Sequence, residues 1–365
     1  MILGPLFMNV LFLGPMLISI PSEKGAVEDI IWQLAKRLPE ERVWIFNPIH
    51  LRANKIESCL STLSLHAWCH GKHLVVHSHN PYASLAFLSP AVRPKNHIIT
   101  LHYPPWISNR AVENSVYLKM LSTLNRCGAK LTAPNLLISD WLKRRGMDCY
   151  YLPNGVDVAR FNPKKHDLNL RSRLLGNNAD VLLVSLGRID PTKNQLSLLK
   201  AFSNVLKSNQ RIKLVMIGPK SGKFQGSFPS EYAARVQSFI ESESLQSHII
   251  WLGEVNSKAE VARILASCDI YVHPSKVEAA PLAILEAMAS GLNIVAFDLP
   301  WYIGYLENGV NAILCKNSLE ALTEGINSAI ESSTDAGVRK RQQECAKKFS
   351  WDLLIADYKK LYASE

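Results

Sequence analysis

The chain has 365 residues, 47% of them hydrophobic and 20% charged, with a formal net charge of +10. That balance excludes a disordered chain, and the length suits two domains better than one core. The basic surplus favours anionic partners, but no nucleic-acid-binding motif accompanies it, so no nucleic-acid partner is expected.

The uncharged opening MILGPLFMNVLFLGPMLISI has the apolarity of a membrane anchor or signal peptide. Gly4, Pro5, Asn9, Gly14 and Pro15 interrupt it, and no basic run precedes it. It reads as a buried first strand beginning at Met8, with residues 1–7 as an extension. VEDIIWQLAKRL follows as an amphipathic helix with Ile30, Ile31, Leu34, Ala35 and Leu38 on one face. RVWIFNP, HLVVHSH and HIITLHY are strands whose continuous apolar runs fit a parallel sheet covered on both sides. ISDWLKRRG is a short helix stopped by Gly146, and CYYLPNG closes the first half.

The second half repeats this rhythm. Strands VLLVSLG, KLVMIG, HIIWLG, DIYVHPS and NIVAFD alternate with helices QLSLLKAFSNVLK, EYAARVQSFIESE, KAEVARILASC and PLAILEAMASG. The fold class is therefore α/β: two doubly wound, Rossmann-like domains facing across a cleft. The expected domains are 1–163 and 164–349, with the amphipathic helix at 350–365 packing back on the first.

Seven cysteines (Cys59, Cys69, Cys127, Cys149, Cys268, Cys315 and Cys345) form no C-x-x-C pair, so neither a zinc site nor a disulfide framework is expected. With no N-x-S/T sequon, they point to the cytoplasm. The basic WLKRRG beside a tryptophan is either a solvated face or a peripheral contact with anionic lipid at the inner membrane face. GPKSGKF fails as a P-loop, because one residue is missing between its glycines and Phe224 replaces Ser or Thr.

Two stretches carry chemistry. In HPSKVEAAPLAILEAMASG, Pro281 suits the first position of a helix and Gly291 its end. The free N–H groups of that helix make an anion site flanked by Glu278 and Glu286. Ribose hydroxyls are natural partners for such a carboxylate; the plain alternative is a dipole-complementing acid and a surface acid. In SLGRIDPTKNQ, Gly187 ends a strand, and Arg188 and Lys193 follow as two cations able to neutralise a diphosphate. No D-x-D pair and no metal-ligand spacing occurs, so no metal and no cofactor beyond a donor substrate is expected. His77 and His79 read equally as a polar strand cap or as functional groups, and His273 reads as structural.

The pieces LPNGVDVARFNP, VSLGRIDPTKNQLSLLKAF, VMIGP, ASCDIYVHPSKVEAAPLAILEAMASGLNIVAFDLP and FSWDLLIADYKKLY, in this order, resemble the retaining glycosyltransferase family 4, of GT-B fold. The resemblance is strong over residues 150–365 and weak before them. It implies transfer of a sugar from a nucleotide diphosphate donor to a glycan, lipid-linked or other hydroxyl acceptor. It places Arg188 and Lys193 on the diphosphate, Glu286 on the ribose and Glu278 on the transferred sugar. Backbone at Pro281, Leu282 and Ala283 would meet the phosphates, with Gly187 beside them. In the first half His102 would lie near the transferred sugar, and Gly25 would approach donor or acceptor. The catalytic set implied is His102, Arg188, Lys193 and Glu278. Three departures stand out: Ala279, Ala280 and Pro281 replace the family's usual Gly-Phe-Gly, the first loop has one glycine where two are usual, and Pro134 or Asn135 stands at a usual serine. The weakened first half leaves room for an alternative, a catalytically silent subunit that organises glycan assembly.

Overall fold

The computed structural model describes residues 9–14, 25–38, 42–46, 74–88, 94–104, 106, 111–219, 230–278, 281–333 and 335–364. The chain divides into two compact units, Met1–Gly155 with Trp351–Glu365, and Val156–Ser350. Met8 and the expected extension 1–7, and most of GPKSGKF, lie outside the described residues.

The first unit holds strands β1 (Asn9–Leu13), β2 (Arg42–Phe46), β3 (Leu74–Ser78), β4 (Asn96–Thr100), β5 (Lys130–Ala133) and β6 (Cys149–Tyr151). They form one sheet in the order β2-β1-β3-β4-β5-β6, and its pairs are parallel. The apolar runs NVLFL and LVVHS are buried along nearly their whole length, as a doubly covered parallel sheet requires. Helix α1 (Ala26–Ala35) buries Ile30, Ile31 and Leu34. Helices α2 (Ala111–Arg126) and α3 (Leu136–Lys143) follow, α3 being capped by the Asn135 side chain on Leu137 N. The expected terminal helix spans Trp351–Ala363 and packs within this unit. Asn96 Nδ2 donates to Leu361 O at 2.8 Å and Ser364 O at 2.9 Å, so β4 holds the helix end. At Gly155 a Cβ would lie 2.4 Å from the Trp351 ring.

The second unit holds β7 (Val181–Leu186), β8 (Ile212–Ile217), β9 (Ile249–Gly253), β10 (Ile270–His273), β11 (Asn293–Phe297) and β12 (Ile313–Cys315). The order is β12-β11-β10-β7-β8-β9, again with parallel pairs. Connections run outward from β7 in one direction and from β10 in the other, so the order reverses between these two strands. A crevice forms at the carboxyl ends of strands at such a reversal. Helices α4 (Leu168–Leu175), α5 (Gln195–Leu206), α6 (Ser230–Ser242), α7 (Lys258–Ala266), α8 (Leu282–Ala289), α9 (Leu319–Glu331) and α10 (Ala336–Lys347) cover the sheet. Residues 156–163 pack with this unit: Val156 N donates to Phe349 O at 2.8 Å, and Phe161 sits in its core. Among the described residues no helix is long and apolar enough to cross a membrane.

Candidate functional site

The sheet reversal brings both chemistry-bearing stretches to one edge. Gly187 and Arg188 follow β7, and the segment Pro274–Glu278 follows β10. Gly187 N donates to Ile217 O at 2.9 Å, which seats the loop on β8. The neighbouring chain comes so close that a Cβ on Gly218 would stand 1.9 Å from Gly187 O. Asp190 Oδ1 then accepts from Thr192 N at 2.8 Å and Lys193 N at 3.2 Å, turning the chain into α5. Lys276 N donates to Thr192 O at 2.8 Å and ties the two loops together.

Within that frame Lys193 Nζ donates to Glu278 Oε1 at 2.5 Å. His273 Nε2 reaches the same oxygen at 2.8 Å, and its Nδ1 lies 3.0 Å from Tyr271 Oη. Burial drives His273 to its neutral form against the pull of Glu278. The neutral ring donates from Nε2 to the carboxylate and accepts from Tyr271. Burial alone would raise the Glu278 carboxyl, but Lys193 and His273 outweigh it and hold it at about 2. Glu278 is thus a fixed anion in a mostly dry setting. Arg188 is the exposed member of the group: its side chain is 54% exposed and lies 3.6 Å from the buried Asp190 carboxylate. Glu286, on the second turn of α8, is buried and bonded to Lys258 Nζ, which lies 5.8 Å from the Phe161 ring.

Pro281 is the N-cap of α8, with φ −83° and ψ 61°, and the helix begins at Leu282. This corrects the expectation of Pro281 at the first helical position; its ψ is not helical. Gly291 follows the C-cap Ser290 with φ 82°, as expected of a helix end. The first helical bond is Leu285 N to Pro281 O, and among the described residues no side chain caps the start. The N–H groups of Leu282, Ala283 and Ile284 are therefore outside the helical ladder. Ala279 and Ala280 lie outside the described residues.

Two expected site residues belong to the first unit. Gly25 is the N-cap of α1 with φ 81°, in the left-handed region that favours glycine. His102 stands just past β4, with its Nε2 2.7 Å from His79 Nδ1. The structure thus gathers Gly187, Arg188, Lys193, Glu278, Pro281, Leu282, Ala283 and Glu286 within one unit, and Gly25 and His102 within the other. Sequence reasoning missed Lys258, Tyr271 and Asp190. Lys258 pairs across 28 positions and Lys193 across 85, distances at which no local spacing signals a partner.

Residues 168–349 match the family described as glycosyl transferases group 1. The chain is 28% identical over 189 residues to the UDP-Gal:alpha-D-GlcNAc-diphosphoundecaprenol alpha-1,3-galactosyltransferase of Escherichia coli, covering 52% of this chain and 44% of that protein. It is 24% identical over 307 residues to the phosphatidyl-myo-inositol mannosyltransferase of Mycobacterium tuberculosis, covering 80% and 74%. The structure of Anabaena HepE in complex with UDP and glucose aligns with a TM-score of 0.78 at 18% identity, covering 98% of this chain and all of that one. That likeness shows the fold. The chain spans less than half the length of the first curated relatives it matches.

Proposed function

We propose that the chain, whose residues 168–349 match the family described as glycosyl transferases group 1, transfers a sugar from a nucleoside diphosphate donor to a hydroxyl of a glycan or lipid-linked acceptor. The observation that carries this is the convergence at the β7–β10 reversal. An exposed arginine, a lysine, two buried carboxylates and an uncapped helix start meet there. In this reading Arg188 and Lys193 neutralise the diphosphate as it leaves, and the N–H groups of Leu282 and Ala283 donate to its oxygens. Glu278, held ionised, accepts hydroxyls of the sugar, and Glu286 accepts ribose hydroxyls. His102 donates a hydrogen bond to the transferred sugar. Relatives named for a UDP-sugar donor, a lipid diphosphate and a phosphatidylinositol support the class. The finer reading is a family 4 enzyme that retains the anomeric configuration without a metal, since basic groups handle the diphosphate charge. It works in the cytoplasm, at the inner membrane face where an acceptor is lipid-linked.

The test is turnover. Nucleotide release from UDP-, GDP- and ADP-sugars is followed with EDTA present, and the anomer formed is read by proton NMR. The account expects release from one donor class, an unchanged anomeric configuration, and a kcat about 100-fold lower in Arg188→Ala. Nucleotide binding without turnover, in every donor and acceptor mixture, would instead favour a silent subunit.

A further inference from the structure

A chain of three imidazoles lies at the carboxyl ends of β3 and β4, only one of which the reading above uses. His77 is locked at both nitrogens: Nδ1 meets Tyr362 Oη at 2.8 Å and Nε2 meets Thr100 Oγ1 at 2.7 Å. The His79 ring lies 4.3 Å from it, centroid to centroid. His79 is anchored by its own backbone N–H on Leu13 O at 2.9 Å. It touches His102 through a single contact, His79 Nδ1 to His102 Nε2 at 2.7 Å, with the rings 12° from parallel. The other nitrogen of His79, Nε2, is buried and has no hydrogen-bond partner among the described residues. Phe12 and His77 rings pack near it.

One proton sits between His79 and His102, and the orphan nitrogen decides which ring carries it. A buried N–H without an acceptor costs more than a buried lone pair without a donor, and such orphans are rare. His79 Nε2 is therefore the unprotonated nitrogen, and Nδ1 carries the hydrogen. It donates to His102 Nε2, which must accept. A neutral His102 then holds its own hydrogen on Nδ1. We propose that His79 is a positioning residue that fixes His102 in the Nδ1–H tautomer, so that His102 meets a substrate oxygen as a hydrogen-bond donor. Burial keeps both rings neutral, driving His102 down to about 4 and His79 well below its ordinary value. His102 Nε2 is consequently committed and takes no proton from an acceptor hydroxyl. What His102 faces rests on the transferase reading above; the tautomer rests on the rings alone.

The experiment compares wild type, His79→Leu and His79→Asn in the full chain. The Asn amide nitrogen occupies the place of Nδ1 and still donates; Leu cannot. Nitrogen-15 spectra of histidine-labelled protein, assigned with His102→Gln, read the tautomer directly. The expected spectrum shows His102 unprotonated at Nε2 and His79 protonated at Nδ1, with His102 becoming a tautomer mixture in His79→Leu. Kinetically, kcat falls about tenfold in His79→Leu, the donor KM stays within about twofold, and His79→Asn recovers most of the rate. A proton on His102 Nε2 in the wild type overturns the proposal, and so does an unchanged kcat in a folded His79→Leu. Failure of the transferase reading looks different: the wild type releases no nucleotide from any donor, whatever the spectrum shows.

Discussion

Replacing Glu278 by Gln probes the electrostatics on which the second unit rests. The Glu278 carboxyl lies at about 2 in the folded chain against an ordinary 4.5. At about 1.36 kcal/mol per unit, this depression contributes about 3 kcal/mol to stability. The folded value lies below the unfolded one. The contribution is therefore complete above about 4.5 and is lost as pH falls towards 2. Gln keeps the shape and can accept from His273, but it leaves the Lys193 ammonium facing an amide. For a unit of this size the loss lowers the melting temperature by about 6–12 °C at pH 7. Differential scanning calorimetry of wild type and Glu278→Gln at pH 7 and pH 3.5 measures it, and the gap is about 1 kcal/mol smaller at the lower pH. A gap independent of pH, or no gap, would mean that the Glu278 charge does not stabilise the folded unit.

Gly218→Ala forces a Cβ to 1.9 Å from Gly187 O. It should cost about 1–3 kcal/mol and displace the Arg188 loop; Gly187→Ala is strained by its φ of 159°, but the nearest contacts of its Cβ are Lys193 methylenes at 3.7 Å, so it should cost less in urea denaturation. Lys258→Met leaves Glu286 buried without its ammonium and should weaken nucleotide binding about tenfold by calorimetric titration, whereas Lys258→Arg should keep most of it.

Much of the fold was legible because both sheets are parallel and doubly covered. Their strands read as unbroken apolar runs, and the helices between them as one-faced patterns. The elements left unflagged include short or polar ones and also two longer helices, α2 (Ala111–Arg126) and α9 (Leu319–Glu331). KLTA in β5 has four residues of mixed character, and AGVRKRQQECAK in α10 buries only Gln342 and Ala346. At the site, Arg188, Lys193, Glu278 and Glu286 were visible because each sits in a loop or helix start whose chemistry is local. What the sequence hid was their pairing. Tyr271, His273 and Glu278 lie close in the chain, but Lys193 reaches them only because β7 and β10 are neighbours in the sheet. The one-residue slip at Pro281 arose because a proline serves equally as N-cap or first helical residue until its ψ is known. His79 gave no sign of its tie to His102 because that contact depends on the register between β3 and β4.

The proposed function places a nucleoside diphosphate sugar at the β7–β10 edge of the second unit. Thermal stabilisation by UDP, GDP, ADP and their sugars tests it most directly, run on wild type, Arg188→Ala and Glu286→Ala. A ligand that binds only the folded chain raises the melting temperature, by about 2.7 kcal/mol of stability at a hundredfold excess over Kd. The account predicts a shift with one nucleotide class that both variants lose. No shift with any nucleotide, or a shift that survives in both variants, would contradict it.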